Sequence, residues 1–190
     1  MRNPVRVLVV FVCLAIVAAT GCASLDEWQR NAIFQPNASS RFSGDSAPDA
    51  IEVFDLQHAN GDVVHGWYVP AEKRGAPTVL YLHGARRNLV GNQYRIDHWR
   101  SLGFNVLAID YRGFGRSTAL LPSEQTALAD ASLAVAELKR REPDPGKRFL
   151  YGYSLGGAMA IAMAAEQDGF AGVIVEASFT SISGIVRESK

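Results

Sequence analysis

Cysteine is nearly absent from this chain: Cys13 and Cys22 are the only two in 190 residues. Two thiols so close to the N-terminus give neither a disulfide framework nor a Cys-rich zinc site. Net charge is absent as well, with Lys+Arg and Asp+Glu both at 19. That balance excludes a generalised basic face for nucleic acid and a highly charged disordered chain. Gly113 and Gly115 have the spacing that opens a dinucleotide fingerprint, but the third glycine is missing, so NAD is not implied. His58, His65, His83 and His98 form no metal-ligand spacing with Cys, Asp or Glu, so no metal and no cofactor are expected. No histidine follows Ser154. What remains is ordinary globular composition, 48% hydrophobic and 20% charged, at a length that suits one domain.

The first apolar run, Val7–Ala19, is thirteen residues long and follows Arg2 and Arg6. A membrane-spanning helix needs about 20 apolar residues, so this run reads as the core of a secretory signal. Ala19, Thr20 and Gly21 then lead into Cys22, an arrangement that resembles a bacterial lipobox. On that resemblance residues 1–21 are a signal peptide and Cys22 is lipidated. The body is then tethered to a membrane of the bacterial cell envelope, facing the periplasm or the exterior. A plain signal peptide cleaved nearby, or an uncleaved anchor, is the alternative.

Residues 22–50 read as a linker punctuated by Pro36, Ser39, Ser40, Gly44 and Pro48, although Trp28, Ile33 and Phe34 suggest a short amphipathic helix or a segment folding back. A hairpin follows, Ile51–Gln57 and Val63–Val69 about an Asn60-Gly61 turn. From Thr78 onward TVLYLH, NVLAID, RFLYGY and AGVIVE are nearly continuous apolar runs, as expected of strands buried on both faces of a parallel sheet. Helical stretches at Asn92–Leu102, Glu124–Arg141 and Leu155–Glu166 lie between them. The expected fold class is α/β: a hairpin, then a mainly parallel sheet with helices on both faces, over residues 51–190.

In such sheets functional groups gather beyond the carboxyl ends of the strands. The informative end is Gly152-Tyr153-Ser154-Leu155-Gly156, a Gly-x-Ser-x-Gly between a buried strand and an Ala-rich helix. This is the pattern of a nucleophile elbow, in which a strained turn lifts the serine hydroxyl to a helix N-terminus. Gly152, Gly156 and Gly157 then allow strand and helix to approach closely. The bland alternative is a glycine-rich turn with Ser154 as an ordinary N-cap. In this architecture the loop after the first long strand supplies one oxyanion N–H and the residue after the serine the other, here Ala85 and Leu155. His83 and Gly84 would order that loop. Asp110 is read as tying its loop to neighbours, and Arg86-Arg87 as surface charge that could meet an anionic substrate.

Together YLHG, DYRGFGRS, GYSLGG and EASFTSI resemble an α/β-hydrolase, most of all the serine aminopeptidase-like (S33) and Bem46-like branch. The resemblance covers about residues 51–185 and implies hydrolysis of a small acyl substrate (an ester, thioester or amide) through an acyl-enzyme on Ser154. Fold analogy assigns no particular substrate and no oligomeric state. The family also needs an acid and a histidine after the nucleophile, yet only 36 residues follow Ser154. Glu176 is a candidate acid in a variant layout. The expectation is therefore an incomplete domain, whose acid and histidine lie beyond Lys190. Its last strand, 171–176, would be an uncovered apolar edge, leaving this chain insoluble or inactive alone. The competing reading is a non-catalytic lipoprotein, a binding or scaffold module that kept the elbow without the triad.

Overall fold

Apolar runs without alternation have to be covered on both sides, and the architecture follows from that requirement. The computed structural model describes residues 24–36 and 51–178. Six strands form one sheet: β1 (Glu52–Gln57), β2 (Val63–Val69), β3 (Thr78–Leu82), β4 (Asn105–Ile109), β5 (Arg148–Tyr153) and β6 (Gly172–Glu176). Their order across the sheet is β1-β2-β4-β3-β5-β6. The β1–β2 and β2–β4 pairs are antiparallel, whereas β3 pairs in parallel with both β4 and β5, and β5 with β6. Every residue of β3 is buried. Leu80 and Leu82 face one core layer, with Leu107, Ile109 and Leu150; Val79 and Tyr81 face the other, with Val106, Ala108 and Tyr151.

Among the described residues four α-helices clothe this sheet: α1 over residues 24–34, α2 (Gln93–Ser101), α3 (Glu124–Arg141) and α4 (Leu155–Glu166). The chain steps from β3 to one side to make β4, then crosses back to place β5 on the other side of β3. Right-handed crossovers in opposite directions put their helices on opposite faces. Accordingly Ile96 of α2 packs in the Val79–Tyr81 layer, and Ala131, Ala134, Val135 and Leu138 of α3 pack in the Leu80–Leu82 layer with Met159 and Met163 of α4. The boundaries of α3 and α4 coincide with those read from the sequence. The start of α3 is closed by a capping box in which the Ser123 side chain accepts the Thr126 N–H and Thr126 reaches back to the Ser123 N–H.

The stretch 22–50, expected as a linker, contains α1, and the end of that helix belongs to the body. Phe34 is 2% exposed in the layer with Leu82, Ile109 and Tyr111. Arg30 donates from Nε to the Pro122 carbonyl (2.9 Å) and from Nη2 to that of Leu121. Burying a phenylalanine is worth about 1.5–3 kcal/mol, which explains why this end docks. Among the described residues no helix is long and apolar enough to cross a membrane. The expected signal peptide, Cys22, residues 37–50 and the segment after Ser178 lie outside the described residues. Among the described residues β6 is an edge strand, with Val173, Ile174 and Val175 partly exposed.

A buried ionic knot fastens the hairpin to α3. Asp130 is fully buried; its Oδ1 accepts from Arg112 Nε (2.7 Å) and its Oδ2 from the Arg112 backbone N–H (2.8 Å). His58 Nε2 lies 2.7 Å from the same Oδ1, and Arg112 also donates to Asp62 in the hairpin turn (2.8 Å). Replacing one partner strands the other charge, which costs about 3–5 kcal/mol. Asp130→Ala is therefore expected to lower the urea-unfolding free energy by that amount; a loss below about 1 kcal/mol would show that Arg112 is satisfied without it.

Candidate active site

The order β4-β3-β5 makes the carboxyl ends of β3 and β5 the switch point of the sheet, where a crevice opens. The register sets Leu82 beside Gly152, so the loop beginning His83-Gly84 emerges next to Tyr153-Ser154. Ser154 has φ 53° and ψ −117°, a left-handed conformation that costs a residue with a Cβ about 1–3 kcal/mol. The surroundings hold it there. Its N–H donates to the Glu176 carbonyl (2.9 Å), and its own carbonyl accepts from the Gly157 N–H and the Ser178 hydroxyl, each at 2.9 Å.

The glycines are needed for space. A Cβ on Gly156 would fall onto the Leu82 carbonyl, and one on Gly152 onto the Gly156 carbonyl. A Cβ on Gly84 would sit 3.2 Å from the Ser154 Cβ, so the loop after β3 passes close against Ser154. The Ser154 side chain makes no capping hydrogen bond to α4. It is therefore not an ordinary N-cap, and its hydroxyl stays available to the crevice.

That crevice has a volume of about 540 Å³ and is lined by Ala32, Ile33, Gly84, Ala85, Arg86, Arg87, Asn92, Tyr94, Tyr153, Ser154 and Leu155. Both proposed oxyanion donors thus share a wall with Ser154. Leu155 is the first residue of α4, where a backbone N–H has no acceptor within the helix and the helix dipole favours negative charge. No backbone acceptor meets the Ala85 N–H among the described residues.

His83 lies behind the loop. It is fully buried, and its Nδ1–H donates to the Gly84 carbonyl at 2.6 Å. Desolvation pushes its pKa down to about 4, so the ring is neutral at physiological pH. Its Nε2 is 3.5 Å from Asp110 Oδ1. Asp110 accepts the Leu89 N–H (2.8 Å) and the Ser117 hydroxyl donates to its carbonyl (2.6 Å), so this residue joins the oxyanion loop to the turn after β4. Burial raises the Asp110 carboxyl to about 7.

Glu176 is directed elsewhere. Its carboxylate takes Arg95 Nη1 at 2.9 Å and the Tyr151 hydroxyl at 2.5 Å, and it lines a different hollow with His98, Trp99 and Leu102. The Tyr151 hydrogen bond and then Arg95 hold its pKa below the usual carboxylate range. The structure thus gives this candidate acid an ion pair away from the Ser154 crevice. Among the described residues, no histidine or carboxylate lines that crevice. Nor do three His, Cys, Asp or Glu side chains cluster as a metal site among them. Sequence reasoning missed the wall formed by Ala32 and Ile33 of α1. The spacing of Trp28, Ile33 and Phe34 was the available signal.

Sheet order, switch point and strained serine define an α/β-hydrolase. Residues 74–188 match the family model described as serine aminopeptidase, S33, and the chain belongs to that family. It is 38% identical over 114 residues to the protein bem46 of Schizosaccharomyces pombe, a match over 58% of this chain and 38% of bem46. In fold it is similar to an alpha-beta hydrolase from Vibrio vulnificus, with a TM-score of 0.72 and 22% identity over 87% of this chain and 62% of that one. The Pyrococcus furiosus esterase Pf2001 has a TM-score of 0.60 and 22% identity over 71% of this chain and 53% of its own. The chain spans 52% to 64% of the length of the first curated relatives it matches.

The two buried groups behind the loop have opposite pH dependence. Asp110 binds its proton more tightly folded than unfolded, so its contribution to stability is complete below about pH 4 and lost as pH rises through about 7. His83 resists protonation, so its contribution is present above about pH 6.5 and lost as pH falls toward about 4. Asp110→Asn removes the first dependence while retaining an acceptor for Leu89. Whatever its constant offset, this variant should gain urea-unfolding midpoint relative to wild type between about pH 5 and about pH 8. Parallel pH profiles would show that Asp110 ionises normally in the fold.

Proposed function

We propose that this chain carries the nucleophile and oxyanion hole of a serine hydrolase acting on esters, thioesters or amides through an acyl-enzyme. The observation that carries this reading is Ser154 itself: a left-handed, non-capping serine at the start of α4, in a crevice shared with Ala85 and Leu155. Its Oγ attacks the acyl carbon, and the developing oxyanion is met by the Ala85 and Leu155 N–H groups. Such preorganised donors are worth about 2.7–4 kcal/mol each at the transition state. The Oγ proton passes to a base that is not among the described residues, and from it to the leaving group. Water then attacks the acyl-serine by the same route and restores the hydroxyl.

We propose further that the protein is held in the bacterial envelope, tethered through lipidated Cys22. Arg2 and Arg6, the apolar run Val7–Ala19 and the small residues before Cys22 support this. The helical residues 24–34 rise about 16 Å at 1.5 Å each and end on the crevice wall, so such an anchor would hold the crevice close to the membrane surface.

A fluorophosphonate probe applied to the native protein in membranes of its source organism should label wild type and not Ser154→Ala. Absence of labelling in the wild type would favour the binding-module reading instead. An alkynyl-palmitate label fed to cells of the source organism should mark wild type and not Cys22→Ser; an unlabelled wild type would leave a plain signal peptide or an uncleaved anchor as the explanation.

A further inference from the structure

Most arginines of this fold are tied down. Arg95 is held by Glu176, Arg112 by Asp62 and Asp130, and Arg141 by Glu52 and Glu137. Arg86 differs. It is exposed, it lines the crevice beside Ala85, and its side chain has no hydrogen bond or ion pair among the described residues. Its backbone has φ 74°, in the left-handed region, and its N–H donates to the Phe34 carbonyl at 3.2 Å. Docking of α1 thus fixes the backbone from which this side chain starts, one residue beyond the Ala85 oxyanion donor.

We propose that Arg86 selects the substrate, pairing with an anionic group, carboxylate or phosphate, on the ester that Ser154 attacks. The inference rests on the serine-hydrolase reading and names the substrate class within it. Two features of the crevice support it. Its charged lining residues among those described are Arg86 and Arg87, with no carboxylate to neutralise them, and such a wall concentrates anions. A guanidinium also matches a carboxylate or phosphate with two parallel hydrogen bonds, which gives orientation as well as attraction. Arg87 is engaged with the Gly91 carbonyl and serves the loop. Arg86 remains as the guanidinium in the crevice wall that has no hydrogen-bond or ion-pair partner among the described residues.

The test compares ester pairs on the native protein. p-Nitrophenyl hydrogen succinate carries its charge on the acyl side, and p-nitrophenyl butyrate is its neutral counterpart. The butyryl ester of glycerol phosphate, against that of glycerol, places the charge on the alcohol side. Wild type is expected to favour the anionic member of at least one pair in kcat/KM, and which pair it is reports where the anion sits. Arg86→Gln should lower that anionic-to-neutral ratio about tenfold or more, and Arg86→Lys should restore part of it, because hydrogen bonds to charged groups are worth that much in affinity. The preference should also shrink as salt is raised, since Arg86 is exposed. An unchanged ratio in Arg86→Gln, or equal losses on both members of a pair, overturns the proposal by assigning Arg86 a structural role. Turnover of neither member, with no fluorophosphonate labelling of Ser154, overturns the hydrolase reading and this inference with it.

Discussion

The contact on which the site depends is the one between the Gly156 backbone and the Leu82 carbonyl. No side chain fits there, and Gly152 repeats the constraint one turn away against the Gly156 carbonyl. Because α4 sits this close to the ends of β3 and β5, the residue joining β5 to α4 has nowhere to go but into a left-handed turn. That residue is Ser154. Its strain is borne by ladder-like hydrogen bonds to Glu176 and Ser178 from the neighbouring strand end, so the geometry of Ser154 is coupled to the β5–β6 pairing. The same approach brings the first N–H of α4 and the loop after β3 to one crevice wall.

A second dependence runs through α1. Its carbonyl end takes the Arg86 N–H, its Phe34 ring fills the core below the turn after β4, and its Arg30 closes on the Leu121 and Pro122 carbonyls. One short helix therefore bridges the oxyanion loop and the loop preceding α3. If Cys22 is the lipid anchor, the element that receives the tether is also a wall of the site. Membrane attachment and crevice shape would then share one structural part.

How much of this was legible in the sequence follows from which forces are local. The strands showed because continuous burial leaves continuous apolar runs, as in TVLYLH, and the elbow showed because its glycines are required by contact. The end of α3 was legible from Lys139, Arg140 and Arg141 in its last turn, which suit the helix dipole. The role of Glu176 was not legible. It stands at a strand end where an acid could serve, and only the packing of α2 on the sheet shows that Arg95 claims it. The docking of α1 was legible in part: Trp28, Ile33 and Phe34 suggested a short amphipathic helix or a segment folding back, but its flanks are rich in turn formers and nothing local showed where the buried Phe34 ring would set its end. The left-handed backbone of Arg86 left no mark at all, because arginine is not a residue that announces such a turn.

The charges sort themselves by depth, and this sorting bears on chemistry. Behind the loop after β3, His83 and Asp110 are buried; burial keeps His83 neutral near pH 7 and leaves Asp110, its carboxyl raised to about 7, only partly ionised there. In front of the loop stands Arg86, exposed and cationic. On the proposed hydrolase reading, an oxyanion forming at Ser154 would meet the Ala85 and Leu155 N–H groups in a crevice whose charged lining, among the described residues, is Arg86 and Arg87. Moving negative charge into the support behind the loop would then weaken the effect of the N–H dipoles, and neutralising Arg86 would weaken the attraction of the wall for anions, so both parts would favour negative charge at Ser154.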